Sequence, residues 1–255
     1  MTSHSNLDGS SVVVTGAGSG IGRAAALQFA QAGAKVVVAD VNGDAAKAVA
    51  DEITAAGGTA VTAAGDLTDP AVVDEVVAAA VDAFGGLDVL VCNAGIMDSM
   101  TAAADVSDAE WERVIAVNLT APFRLTRAAL PHLLAKGKGA IVYTASEAAL
   151  RGSAAGAAYT ASKTGLIGLT RSVAAMYRDS GVRANAIAPG ATKTGISVTP
   201  DPAGHGPQVI GRYLSNIGCA AEAEEQANAI VFLASDAASN ITGVVLPVDN
   251  GWSAV

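Results

Sequence analysis

Seven short runs rich in valine and isoleucine recur along the 255-residue chain, separated by longer alanine-rich segments with helical spacing. Most of these runs are continuously apolar, which is typical of strands that are covered on both faces. Strands that alternate with helices form right-handed βαβ units, and their strands lie parallel in one sheet. We therefore predict an α/β fold whose parallel sheet contains residues 11–15, 35–40, 59–65, 87–93, 140–146, 182–188 and 244–249.

No repeat, linker or charge block divides the chain, and its 51% apolar composition suffices for one large core at this length. We predict a single domain over residues 11–255, preceded by a flexible tail over residues 1–10. Asp69-Pro70 is typical of a helix start, and Gly85-Gly86 of a helix end. Residues 190–216 are irregular and rich in proline and glycine, and we predict that they form a substrate lid.

The charge balance and the cysteines exclude several classes of function. A net charge of −9 argues against a nucleic acid or an anionic membrane as a partner, because both require a basic face. The N-terminus lacks the basic and apolar segments of a signal peptide, and no apolar run is long enough for a membrane span. Cys92 and Cys219 form neither a disulfide framework nor a metal-ligand spacing. We predict no metal site and expect a cytoplasmic protein.

A glycine-rich loop, within VVVTGAGSGIGRA at residues 12–24, follows the first apolar run and opens a helical segment. At such a junction the backbone N–H groups point at an anion, and a pyrophosphate would fit. The glycines do not have the G-x-G-x-x-G spacing, and a tight turn for close helix-strand packing is the alternative. Together with the strand pattern, the loop predicts a single doubly wound Rossmann-type domain with a seven-stranded parallel sheet flanked by helices.

Asp40 ends the second run, 18 residues after Gly22. A carboxylate at this position accepts hydrogen bonds from the adenosine ribose of a dinucleotide. A 2′-phosphate would require a cation nearby, but Ser19, Val41 and Asn42 supply none, so NAD is favoured over NADP. A solvated charge at a strand end is the alternative for Asp40.

The third and fourth runs end in Asp66-Leu67 and in Asn93-Ala94-Gly95. In an open parallel sheet, ligands bind along the carboxyl ends of the strands. We expect Asp66 to accept from the adenine amino group, and Asn93 and Gly95 to allow close approach of the backbone to the adenosine ribose. Each of these residues is also common in turns for conformational reasons alone.

A second group of residues carries proton-transfer chemistry. Tyr159 and Lys163 lie one helical turn apart, and an adjacent ammonium favours the phenolate and lowers the pKa of the tyrosine. Tyr159 is therefore a candidate general acid or base. Ser146 ends the fifth run, where its hydroxyl can donate to a substrate carbonyl oxygen. Asn118 is polar within an apolar helical stretch, and a satisfied buried amide is its alternative.

These motifs occur in the order TGAGSGIG, DL, NAG, helical Asn, Ser, YxxxK, PG and ITGVVLPVDNG. In this combination the chain resembles the short-chain dehydrogenase/reductase family in its single-domain form, from Val12 to about Gly251. Gly18 lies outside the pattern of the family's loop, and the terminal V-D-N-G replaces the more usual V-D-G-G. The loop pattern T-G-x-x-x-G-x-G is matched by Thr15, Gly16, Gly20 and Gly22.

The resemblance implies that Tyr159 is the catalytic acid/base and that Lys163 lowers its pKa and binds the nicotinamide ribose. It further implies that Ser146 orients the substrate carbonyl and that Asn118 holds a water in a proton relay. The implied reaction is reversible hydride transfer between NAD(H) and a carbonyl carbon. The predicted cofactor-binding residues are Gly16, Ser19, Gly20, Ile21, Gly22, Asp40, Val41, Asp66, Leu67, Asn93, Ala94, Gly95, Tyr159, Lys163, Pro189, Gly190, Thr192 and Thr194.

The resemblance also implies a homotetramer, with helices around residues 107–136 and 155–179 in its interfaces. A 3-oxoacyl-thioester reductase is one alternative function, but Pro131 and Ala175 stand where related enzymes carry basic docking residues. Docking of an acidic carrier to an acidic protein is also unfavourable. A non-catalytic NAD-binding sensor is the other alternative, because a fold alone does not give a function.

The predicted substrate is a free small molecule, a secondary alcohol or ketone, with cyclic and steroid-like compounds among the candidates. We expect Met97, Asp98, residues 147–156 and the lid to line its pocket. The sequence leaves open whether the charged Glu147 and Arg151 face that pocket.

Overall fold

The computed structural model describes residues 6–196 and 198–255. Its core is one seven-stranded sheet in the order β3-β2-β1-β4-β5-β6-β7, and all neighbouring strands are parallel. The predicted doubly wound α/β fold is confirmed, and each of the seven apolar runs forms a strand. The strands are β1 Ser11–Thr15, β2 Lys35–Asp40, β3 Thr59–Ala64, β4 Val89–Cys92, β5 Gly139–Thr144, β6 Val182–Pro189 and β7 Val245–Val248.

Eight α-helices connect the strands in the described residues: α1 Gly20–Gln31, α2 Gly43–Ala55, α3 Pro70–Phe84, α4 Asp108–Ile115, α5 Ala121–Lys136, α6 Ala157–Tyr177, α7 His205–Ile210 and α8 Ala223–Ala234. The predicted start of α3 is confirmed, because the Asp69 carboxylate accepts from Ala71 N at 2.9 Å. Its predicted end is confirmed too, since Gly85 adopts a left-handed φ of 83°. No helix in residues 6–196 and 198–255 is both long and apolar enough to cross a membrane.

The helices cover both faces of the sheet, which explains why the strands are continuously apolar. One apolar cluster joins the sheet to α1, α2 and α8, and a second joins it to α3, α5 and α6. β1 pairs with β2 on one side and with β4 on the other, so the strand order reverses between β1 and β4. This switch point leaves a crevice at the carboxyl ends of the strands, where ligands bind in open α/β sheets.

The structure differs from the sequence prediction at the N-terminal tail. Residues 1–5 of the predicted flexible tail lie outside the described residues. Leu7 is buried within the apolar cluster of α1, and Gly9 N donates to Gly33 O at 2.9 Å. The described part of the tail therefore packs against the domain, because the Leu7 side chain contributes to the core.

The predicted lid, residues 190–216, contains α7 and a following turn of 3₁₀-helix over Gly211–Asn216. Within it, Ser197 lies outside the described residues. Gly206 packs so closely on the loop after β4 that an added Cβ would lie 2.2 Å from Met100 O. Cys219, just beyond this segment, is exposed, whereas Cys92 on β4 is buried. That the segment acts as a lid stays a prediction.

Candidate active site

A cavity of about 550 Å³ opens at the carboxyl ends of the strands, at the switch point between β1 and β4. Its volume is in the range of small-molecule and cofactor sites. Of the predicted catalytic and cofactor-binding residues, Gly22 and Asn118 are not part of its lining. The others line it: Gly16, Ser19, Gly20, Ile21, Asp40, Val41, Asp66, Leu67, Asn93, Ala94, Gly95, Ser146, Tyr159, Lys163, Pro189, Gly190, Thr192 and Thr194.

The glycine loop forms a turn that only small residues fit. Gly16 and Gly20 have left-handed φ values of 63° and 50°. An added Cβ on Gly22 would lie 2.1 Å from Gly16 O, so the start of α1 packs directly against the loop. The N-cap of α1, Ser19, makes no side-chain capping bond, which leaves backbone N–H groups of the first turn free to face the cavity. This end of the cavity fits the pyrophosphate of a dinucleotide.

Gly18 has a role that the sequence reasoning missed. Gly18 N donates to Asp40 Oδ2 at 2.8 Å, and Asn42 N donates to Asp40 Oδ1 at 2.9 Å. An added Cβ on Gly18 would lie 2.8 Å from Ala45 Cβ and 2.9 Å from Asp40 Oδ2. Asp40 therefore anchors the glycine loop as well as facing the cavity. The sequence contains no local signal for this contact, because it joins the ends of two strands.

Asn93 braces the carboxyl ends of three strands. Its Nδ2 donates to Thr15 O at 3.0 Å, and its Oδ1 accepts from Thr144 Oγ1 at 3.2 Å. The Thr15 hydroxyl in turn accepts from Asn93 N at 3.0 Å and from Ala94 N at 3.2 Å. The loops after β1, β4 and β5 are thereby held together beneath the cavity, in addition to the backbone approach predicted for this position.

Asp66 makes the local bonds of a turn residue. Its Oδ1 accepts from Thr68 N at 2.9 Å, and bonds from Thr68 hold the pKa of Asp66 below its ordinary value despite partial burial. Arg113 on α4 also lines this part of the cavity and lowers the same pKa to a smaller extent. Sequence reasoning missed Arg113, because it lies mid-helix outside the motifs considered.

Tyr159 and Lys163 lie side by side on α6, with Lys163 Nζ 5.6 Å from the centroid of the tyrosine ring. Lys163 is buried, donates to Thr144 O at 2.8 Å, and has its pKa lowered to about 8 by desolvation. Burial raises the pKa of Tyr159 to about 12, a hydrogen bond with Ser146 lowers it, and the charge of Asp98 raises it. Burial thus outweighs the lowering that the sequence predicted, and the phenol is protonated at neutral pH.

Asn118 lies in a π-helical turn, Ala116–Thr120, inserted between α4 and α5. The turn directs the side chain inward, where Oδ1 accepts from Ile96 N at 2.9 Å and Nδ2 donates to Ile96 O at 2.8 Å. Nδ2 also lies 3.2 Å from Ser162 Oγ. These bonds make Asn118 the satisfied buried amide of the alternative interpretation, and its part in a proton relay stays a prediction.

The cavity beyond Ser146 and Tyr159 has mainly apolar walls. Met97 lines it as predicted, but Asp98 does not face it, because its carboxylate binds main-chain N–H groups. Glu147 is buried and forms an ion pair with Arg151, and neither residue is part of the lining. The lining here comprises Ile96, Met97, Ala154, Ile196, Val198, Ile217 and Trp252.

A family model described as enoyl-(acyl carrier protein) reductase matches residues 16–253. The chain is 39% identical to 3beta-hydroxysteroid dehydrogenase 2 of Eggerthella lenta, over 97% of this chain and 96% of that protein. It is 40% identical to cyclohexanol dehydrogenase of an Acinetobacter species, over 94% of each. A solved structure with a TM-score of 0.86 is 41% identical and covers 98% of both chains. That structure is a provisionally assigned NAD(P)-dependent gluconate 5-dehydrogenase from Beutenbergia cavernae, with NADP bound at low occupancy.

Proposed function

Because the chain belongs to the short-chain dehydrogenase/reductase family, whose members are oxidoreductases with a nicotinamide cofactor, we propose that it is an NAD(H)-dependent dehydrogenase. It interconverts a secondary alcohol and its ketone, and Tyr159 is the general acid/base. The observation that carries this proposal is that Tyr159, Lys163 and Ser146 line the same cavity as the glycine loop. The chemistry that NAD(H) supplies when bound is acceptance or donation of the hydride.

In the proposed mechanism the protein's own residues handle the proton and the geometry. The Tyr159 phenol gives its proton to the ketone oxygen in reduction and takes it back from the alcohol in oxidation. Ser146 donates to the same oxygen and holds it against the phenol. Lys163 lies 5.6 Å from the ring centroid, and its ammonium favours the phenolate that forms after proton transfer.

NAD is proposed over NADP because of the charge at the end of β2. Asp40 lines the cavity and presents a carboxylate where a 2′-phosphate would lie, and like charges there disfavour NADP. Val41, next along the chain, is exposed and apolar and offers no cation. Because a solved relative has NADP bound, the preference for NAD has to be measured directly.

The proposed substrate is an uncharged cyclic secondary alcohol. The walls beyond Ser146 are apolar, and the nearby charges of Glu147 and Arg151 are paired with each other. Transfer of an apolar ring from water to such walls is favourable in free energy. Transfer of a carboxylate or phosphate is unfavourable, because the group would lose its hydration and find no charged partner. The names of two relatives, a hydroxysteroid and a cyclohexanol dehydrogenase, support the same choice.

We propose that the enzyme is a homotetramer in the cytoplasm. Large apolar side chains are exposed on the helices that the sequence predicted for the interfaces: Trp111 on α4, Phe123 and Leu134 on α5, and Met176 on α6. Subunit contacts over these helices would remove such side chains from water. Both cysteines are free, as a reducing compartment requires.

The proposal is tested by turnover of a panel of cyclic and acyclic secondary alcohols and ketones, with NAD(H) and NADP(H) assayed separately. We expect Tyr159→Phe to lower kcat by at least about 100-fold, because general acid-base catalysis contributes that much. NADH binding, followed by fluorescence titration, should be retained. Tyr177→Phe, the same change at the far end of α6, is the matched control and should keep the wild-type rate.

Four outcomes would contradict parts of the proposal. Wild-type rates in Tyr159→Phe would remove the assigned acid/base. Higher catalytic efficiency with NADP would contradict the argument from Asp40. Tight NADH binding without turnover of any substrate in the panel would favour the non-catalytic sensor, and turnover restricted to acyl thioesters would favour the 3-oxoacyl-thioester reductase.

A further inference from the structure

Asp98 is a buried carboxylate in the loop after β4, with only 3% of its surface exposed. In residues 6–196 and 198–255 it has no cationic partner within ion-pair distance. A buried charge requires compensating hydrogen bonds, and all three of those that Asp98 accepts come from main-chain N–H groups. Its Oδ1 accepts from Met100 N and from Gly156 N, both at 3.1 Å, and its Oδ2 accepts from Tyr159 N at 2.9 Å.

Two of these bonds satisfy the first turn of α6. The first N–H groups of a helix lack intrahelical partners, and the N-cap of α6 is Gly156, which has no side chain to supply one. Asp98 supplies the missing acceptor from another element, 58 residues earlier in the chain. A negative charge at a helix N-terminus is also favourable. Tyr159 is the third residue of α6, so Asp98 holds the main chain of the tyrosine itself.

The loop that carries Asp98 and the start of α6 are packed in close contact. A Cβ added to Gly156 would lie 2.5 Å from Asp98 Oδ2, so only glycine fits beside the carboxylate. On the other side, Met100 has a left-handed φ of 60°, which is uncommon for a residue of this size, and its N–H is bound by Asp98. Strain of this kind persists only where the surroundings fix the backbone.

We infer that Asp98 is the positioning residue for Tyr159: its carboxylate fixes the first turn of α6 and thereby sets where the phenol lies relative to Ser146. This inference rests on the proposed function, which itself makes no use of Asp98. A positioning role has a large effect on rate, because a misplacement of about 1 Å can cost on the order of 100-fold.

Asp98 also contributes to the electrostatics of the phenol. Burial raises the pKa of Tyr159, a hydrogen bond with Ser146 lowers it, and the charge of Asp98 raises it. Removal of that charge therefore lowers the pKa. The ionisable or charged groups on the surrounding elements include Lys163 on α6, Cys92 on β4, and Arg113 and Glu110 on α4, of which Glu110 accepts from Ser99 N. Glu147, paired with Arg151, follows β5.

The test is Asp98→Asn in the full chain, with kcat, KM and the pH profile of alcohol oxidation measured at saturating NAD. One amide oxygen cannot accept from all three N–H groups, so we expect kcat to fall by about 10-fold or more while NADH binding is retained. Because the negative charge is gone, the rising limb of the pH profile should move to lower pH. A purely structural role would lower the melting temperature without moving that limb.

The matched control is Asp69→Asn, the same change at the carboxylate that caps α3. Asn caps a helix about as well as Asp, so this variant should leave kcat and the pH profile unchanged. If Asp98→Asn behaved like this control, the inference would be overturned.

A second variant, Gly156→Ala, keeps the charge but displaces the carboxylate, because the new Cβ occupies its place. We expect a fall in kcat with little movement of the pH limb, and a wild-type kcat would overturn the inference even if Asp98→Asn did not fold. The proposed function fails separately, if Tyr159→Phe keeps the wild-type rate. If Tyr159→Phe is inactive while both Asp98→Asn and Gly156→Ala keep wild-type kcat and pH profile, the inference alone fails.

Discussion

At the scale of single residues, Gly18 shows how a position outside a motif can be fixed by a distant side chain. It has an ordinary negative φ, so its backbone conformation does not require glycine. The requirement comes from space, because Asp40 and Ala45 leave no room for a Cβ. The glycine loop and the end of β2 therefore form one unit, in which a bond from Gly18 N orients the Asp40 carboxylate that lines the cavity.

We predict that Gly18→Ala raises KM for NAD by about 10-fold or more, because the new methyl group pushes Asp40 away from the loop and weakens cofactor binding. The value of kcat at saturating NAD should change little, since the contact is remote from Tyr159. Steady-state kinetics with NAD as the varied substrate measures both. Gly168→Ala, in open space on the exposed face of α6, is the control. Equal KM values in the two variants would contradict this account of Gly18.

At the scale of elements, Arg183 near the start of β6 caps the C-terminus of α8. Its guanidinium donates to Leu233 O at 2.7 Å, to Ala234 O at 3.2 Å and to Ser235 O at 3.0 Å. It also donates to Ile241 O at 3.2 Å. The last carbonyls of a helix lack intrahelical partners, and a cation is favourable at that end of the helix.

We predict that Arg183→Met lowers the free energy of unfolding by about 2 kcal/mol or more, because several buried carbonyl groups lose a charged donor. The KM for NAD should not change, because Arg183 lies at the opposite end of the strands from the cavity. Denaturant unfolding and steady-state kinetics measure the two effects. Lys47→Ala removes an exposed ion pair with Asp51 and should change stability by less than about 0.5 kcal/mol. A loss no larger than that of the control would refute the role of Arg183.

Elements differ in how far the sequence predicts them. The strands and α3 were predictable because continuous apolar runs and capping residues are local signals. The π-helical turn that carries Asn118 was not predictable. It differs from an α-helix by a single inserted residue, which leaves the apolar periodicity almost unchanged. The burial of Leu7 was not predictable either, because a single apolar residue among polar neighbours forms no periodic pattern.

At the scale of the whole molecule, the sequence predicted the fold and the residues that gather at the switch point, because parallel strands bring their carboxyl ends to one edge. It did not predict which side chains brace that edge. Asp98 and Tyr159 are 61 residues apart, and Asn93 and Thr144 are 51 apart. Nothing local in the chain distinguishes a buried brace from a turn residue, so Asp98 was predicted to line the substrate pocket. The opposing effects on the pKa of Tyr159 also depend on burial, which only the packed structure gives.

The proposed tetramer gives a prediction at this scale. Phe123 on α5 is 46% exposed, with Arg127 stacked 5.5 Å from its ring centroid. We expect Phe123→Glu to reduce the mass measured by light scattering below that of a tetramer, since it would bury a charge in an apolar interface. Tyr213→Glu, a similar change at a side chain 44% exposed outside those helices, should keep the wild-type mass. An unchanged mass for Phe123→Glu would place the interface elsewhere.

The contrast between the two cysteines makes the native chain suited to fluorescence spectroscopy. Cys92 is buried in the apolar cluster that joins the sheet to α3, α5 and α6. Burial raises the pKa of its thiol, so alkylating reagents will not reach a thiolate there. Cys219 is exposed two residues after Ile217, which lines the cavity. A maleimide dye will therefore attach at one known position without any substitution. If the adjacent 190–216 segment acts as the predicted lid, the emission of the dye should change as cofactor and alcohol are added.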